Sequence, residues 1–169
     1  MKNTLPPAPA GYTWINIDSF IKKYIKGAII PMDLFLALQQ KLLDGATKVT
    51  ITTSTIEMLD NLLAEKKAED KRLLQCSSLN NKGSEYEKQG KINLAIKTYE
   101  KNIGVDCYPA SHSFNRLMVL YRKEKYYDNE IRVINRAIDV FSVDSHYSSE
   151  VYKWRDRLEK VNQLKNKLK

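Results

Sequence analysis

The second half of the chain repeats itself. Shifting residues 79–102 by 35 positions lays them on residues 114–137 without a gap, and the apolar skeletons coincide. Leu79 falls on Phe114, Tyr86 on Tyr121, Tyr99 on Ile134 and Ile103 on Ile138. In both copies nine positions lead from the tyrosine to the next marker, Tyr86 to Ala95 and Tyr121 to Glu130. Two similar helical hairpins in a row predict a stacked array, in which each unit covers the apolar face of the next. The fold class that follows is mainly all-α.

An array needs a last helix with one wet face. Ser145–Lys169 supplies it: Tyr147, Val151, Trp154, Leu158, Val161, Leu164 and Leu168 recur at steps of three and four, while Arg155, Asp156, Glu159 and Lys160 lie off the stripe. Upstream, Ser54-Thr-Ile-Glu57 reads as a capping box, with Ile56, Leu59, Leu62 and Leu63 on one face behind it. No glycine or proline interrupts 54–81, so this region is one long helix or two joined in the all-polar stretch Lys66–Lys71. Earlier still, Tyr12–Ile17 and Lys48–Thr52 alternate as short strands do. Asp18–Lys26 reads as a helix ended by Gly27, and Met32–Asp44 as a second opened by Pro31 and closed by Gly45. The expected organisation is an extended leader over 1–10, a small segment of short helices and strands over 11–53, and a helical domain over 54–169. Its repeats span about 77–107 and 112–143, with the cap at 145–169.

Composition narrows the function classes. The net charge of +8 comes from 28 basic and 20 acidic residues spread along the chain, with its densest excess in the tail at Lys165, Lys167 and Lys169. Cations at a helix C-terminus suit the macrodipole, so nucleic acid is not the expected partner. Cys76 and Cys107 form no CxxC pair and read as small apolar residues of a reducing compartment. Pro6, Pro7 and Pro9 make the start extended and unlike a secretory signal, and no stretch reaches membrane-spanning length. A cytoplasmic protein with no membrane association is the expectation.

The residues at the repeat positions resemble the tetratricopeptide repeat family. The first copy has Gly83, Tyr86, Ala95 and Tyr99 at the family's spacing, with Leu79 in its first aromatic place. The second has Phe114, Leu117, Tyr121 and Ala137, with Ile134 for the second aromatic. AIKTYEKNI and LYRKEKYYDNEIRVINRAIDVF are similar to a subtype common in bacteria. Lys82, Asn102, Met118 and Glu130 depart from the family pattern, and a longer link, Val105–His112 with Pro109, replaces its closing proline. Those departures predict looser packing. Separately, Ile25–Leu43 is similar to the short helical hairpins called SHOCT domains, which carries no functional implication here.

Catalytic signatures are absent from the sequence: it holds no glycine-rich phosphate loop, HExxH, GxSxG or EF-hand loop. His112 and His146 stand beside serines at expected helix starts and read as capping or surface residues. No cofactor or metal is expected. The resemblance implies a non-catalytic scaffold that holds a peptide or helix of a partner protein in a concave groove. Its lining would be Asn80, Ser84, Glu87 and Lys88 from the first copy, and Asn115, Arg116, Val119, Arg122 and Lys123 from the second. Arg116 and Lys123, seven residues apart, share a helical face and with Arg122 make a basic wall. Asn80 and Ser84 stand where the family's chaperone-tail clamp needs lysine and asparagine, so that clamp is not reproduced. The alternatives are a nucleic-acid accessory protein using the basic last helix, and a self-assembling homodimer.

Overall fold

The structure, a computed structural model, describes residues 5–104 and 108–167. Expectations for Cys107, Leu168, Lys169 and the first four residues of the leader lie outside these. The fold is mainly all-α with a two-stranded antiparallel sheet, and its helices contribute to two compact units that divide between Asp70 and Lys71. The sequence reading put the boundary at 53/54, ahead of the long helix.

In the first unit, β1 (Tyr12–Asn16) pairs with β2 (Lys48–Thr52) in the register Tyr12↔Thr52 to Asn16↔Lys48. Pro6 of the leader is held by Trp14, whose indole N–H donates to the Pro6 carbonyl at 2.8 Å. α1 (Ile17–Ile25) is capped by the Asn16 side chain, which accepts from the Ser19 amide. α2 (Met32–Leu43) starts after Pro31 and ends before Gly45, whose φ of +84° is the left-handed turn expected at a helix exit. Ile17, Phe20, Tyr24, Leu38, Ile51 and Leu59 form this unit's core. The Tyr24 hydroxyl reaches Asp60 at 2.7 Å, and the Lys23 ammonium and that hydroxyl hold the Asp60 carboxyl below its usual range.

The region after β2 is one helix, α3 (Thr53–Lys88), 36 residues long. It does not start on the expected capping box. The Thr52 hydroxyl accepts from the Thr55 amide at 3.2 Å, so the strand's last residue is the cap and Ser54 already lies inside the helix. From 64 to 75 no residue of α3 is buried, and Lys66 pairs with Glu69 and Asp70 along the surface. Strong helix formers and i,i+3/i+4 pairs keep this stretch helical without a core to rest on.

The second unit continues with α4 (Ile92–Asn102), α5 (Ser111–Lys123), α6 (Tyr127–Phe141), a 3-10 turn at Ser145–Tyr147 and α7 (Ser148–Asn166). Consecutive helices run antiparallel. The end of α5 meets the start of α6 at Arg122–Glu130, and the start of α5 meets the end of α6 where the Phe114 and Phe141 rings lie 5.5 Å apart. Lys165 pairs with Asp128, and Trp154 lies 5.3 Å from Phe141, which orients α7 against α6 in the same way.

The repetition seen in the residues extends to the backbone. After α3, the Gly90 amide donates to Glu87 and the Lys91 amide to Tyr86; after α5, Lys125 donates to Arg122 and Tyr126 to Tyr121. Gly90 at φ +70° and Lys125 at φ +61° occupy the same left-handed position 35 residues apart. Four of the expected departures, Asn102, Met118, Glu130 and Lys82, are accommodated, while the link Val105–His112 lies partly outside the described residues. Asn102 is buried, and its amide donates to Asn80, to Ser113 and to the Cys76 carbonyl. Met118 and Glu130 are buried, while Lys82 stays outside with its ammonium over the Tyr86 ring. Among the described residues no buried side-chain polar atom lacks a partner.

Candidate functional site

Nine side chains were expected to line a groove, and the fold uses most of them internally. Asn80 accepts from Asn102 at 2.9 Å and Ser113 at 2.6 Å, so it closes a polar cluster among α3, α4 and α5. Ser84 bonds the Tyr99 hydroxyl and reaches the His112 ring at 3.4 Å. Glu87 takes the Arg116 guanidinium through two oxygens and also accepts from the Tyr99 hydroxyl at 2.8 Å. These partners hold the Glu87 carboxyl below its ordinary range, with Arg116 the main cause; burial pushes the Tyr99 phenol up. Arg116 is therefore not a free wall of a groove. Lys88 and Lys123 are exposed with no hydrogen-bond partner among the described residues, and Val119 is half-buried.

Asn115 and Arg122 remain, and they meet elsewhere. An open cleft of about 510 Å³ lies between α5 and α7, lined by Asn115, Arg122, Lys153, Trp154, Arg157 and Lys160, with Glu150 and Asp156 also on its walls. Its floor is a three-residue ion cluster. Glu130, with no exposed surface, accepts from Arg122 at 2.6 and 2.9 Å and from Arg157 at 2.7 Å. Arg157 also donates to the Met118 carbonyl at 2.7 Å. The Trp154 indole N–H donates to the Asn115 side-chain oxygen at 2.8 Å, fixing which end of that amide is left for other partners.

The α7 half of this site was not foreseen. Of the apolar stripe expected on this helix, Val151, Trp154 and Val161 are buried, while Leu164 is exposed. Lys153, Arg157 and Lys160, at steps of four and three, form a second stripe that the same sequence displays. Among the described residues no group of three or more His, Cys, Asp or Glu side chains is placed to hold a metal ion, and no helix is long and apolar enough to cross a membrane. No protein-family model, curated protein or solved structure matches the chain.

Proposed function

We propose that residues 71–169 form a tetratricopeptide-type module that holds a segment of a partner protein, without chemistry, in the cleft between α5 and α7. The observation that carries this reading is the cleft itself. It is open and walled by two helices, and its polar groups are already oriented by bonds to one another, which lowers the ordering cost of taking a ligand. The doubled helical hairpin, alike in residues and in turn geometry, supports the repeat assignment. The nucleic-acid alternative draws less support, because three cations of the last helix are paired, Arg157 with Glu130, Lys160 with Asp156 and Lys165 with Asp128, which thins the basic surface left for phosphates.

The test is selection of a displayed random-peptide library on the full chain, with a photo-crosslinking amino acid in place of Lys153 and, separately, of the exposed Lys97 on α4. Enriched peptides should cross-link at position 153 and not at 97. Equal cross-linking at both positions, or no enrichment, would overturn the reading.

A further inference from the structure

The hydrogen-bonding capacity left over in the cleft is almost all of one kind. Arg122 gives its Nε–H and Nη2 groups to Glu130, and Arg157 gives the same groups to Glu130 and the Met118 carbonyl. Each guanidinium keeps its other terminal NH2 unbonded among the described residues, and both side chains, about 30% and 29% exposed, line the cleft. Asn115 has its oxygen occupied by Trp154 and its amide NH2 without a partner among the described residues. Lys153 is likewise unpaired, whereas Lys160 is matched by Asp156. Against these donors stands one unpaired acceptor among the described lining residues, the Glu150 carboxylate at the start of α7.

Two guanidiniums side by side repel unless an anion lies between them. Glu130 supplies that anion from below, and its burial makes the arrangement rigid, since a carboxylate out of water needs its partners in place. The arginines are thus held as a preformed pair with donors to spare, a geometry suited to planar carboxylates.

We propose that the cleft floor is a carboxylate seat and that the segment taken there is acidic, an aspartate- or glutamate-containing stretch of a protein. Arg122 and Arg157 contact the incoming carboxylate, Asn115 and Lys153 flank it, and Glu130 positions both arginines without touching the ligand. This rests on the cleft being the binding site.

Fluorescence anisotropy on the full chain tests it, with labelled decaglutamate, decalysine and a glycine–serine peptide of equal length as probes. Decaglutamate should bind, and decalysine and the neutral peptide should not. Lys153→Glu should weaken decaglutamate about tenfold or more, and Lys97→Glu, the same change of net charge away from the cleft, by about twofold at most. Both lysines are exposed, so neither change should alter the melt. Equal weakening by the two variants, or decalysine binding as well as decaglutamate, would overturn the seat. So would oligothymidylate displacing decaglutamate at equal concentration. Library peptides that cross-link at 153 but are not acidic would remove the seat and leave the cleft reading standing. A failure to cross-link there, beside decaglutamate binding indifferent to Lys153→Glu, would remove both.

Discussion

The hairpins α3–α4 and α5–α6 share spacing, turn bonds and direction, yet they fill equivalent places with opposite solutions. In the first, Gly83 makes room for Tyr99: a Cβ on that glycine would lie 2.4 Å from the ring. The equivalent pair in the second is Met118 and Ile134, both buried, with bulk moved from one helix to the other. Ala95, fully buried, corresponds to Glu130, also fully buried. In the first hairpin a surface-side acid, Glu87, reaches forward to Arg116 of α5; in the second the base at that place, Arg122, reaches a buried acid and shares it with α7. A repeat preserves the total volume and the backbone exits at each station. The way volume and charge are split between facing helices is free to differ, and that freedom is where a binding surface can arise.

Breaking the equivalence most severely should be Tyr121→Ala. Tyr121 is 5% exposed and its hydroxyl donates to Glu100 at 2.6 Å, whereas Tyr86 is only half-buried. Denaturant unfolding should show a loss of about 3–5 kcal/mol for Tyr121→Ala and roughly half of that for Tyr86→Ala. Equal losses would restore the symmetry that the sequence predicts.

Gly83→Met should cost about 3 kcal/mol by overpacking against the Tyr99 ring. Adding Tyr99→Ile transplants the second hairpin's pair into the first and should recover part of it, read as a positive coupling in a double-mutant cycle. Additive losses would show that the two stations are not interchangeable in volume.

Glu130→Ala installs the first hairpin's residue in the second. A loss of about 2 kcal/mol is expected, moderated because the two arginines left behind are partly exposed and can turn to water. Thermal melts of this variant and of Arg122→Ala plus Arg157→Ala should differ. The double variant leaves the carboxylate alone in the core and should be the worse.

Acid should single out the first hairpin. With its folded-state pKa depressed by Arg116 and the Tyr99 hydroxyl, Glu87 contributes stability above the ordinary glutamate value of about 4.3 and loses it as pH falls through the folded value. Glu87→Gln should therefore flatten the fall of unfolding free energy below about pH 4. A slope unchanged by that substitution would assign the acid sensitivity elsewhere. The smallest effect is expected at the turns, where Lys125→Gly should stabilise by up to about 1 kcal/mol by relieving a left-handed lysine. Gly90→Lys should cost a similar amount.

Helix class, the two strands, the proline and glycine at the ends of α2 and the doubled hairpin were all legible, because they depend on neighbours a few residues away or on period. The start of α3 was misread since Ser54 and Thr52 are equally good caps by type, and only the strand pairing of Thr52 decides between them. The internal bonds of the expected groove residues were not legible, for a different reason. Arg116 finds Glu87 twenty-nine residues back, and Arg122 and Arg157 converge on one carboxylate from separate helices. No spacing within a single helix announces such meetings.

The middle of α3 has a last consequence. Residues 64–75 contribute no fully buried side chain, yet they need not nucleate a helix, because the turns on either side are already fixed by buried side chains, Leu59 before the stretch and Cys76 after it. Nucleation is the costly step and propagation nearly neutral, so the stretch persists as a helix extended from both ends. Its opening is then a local helix–coil event, sensitive to Ala68→Gly by about 1 kcal/mol and nearly silent in either core. Amide hydrogens there should exchange with solvent far sooner than those of α5 or α6, in a segment that circular dichroism would still count as fully formed.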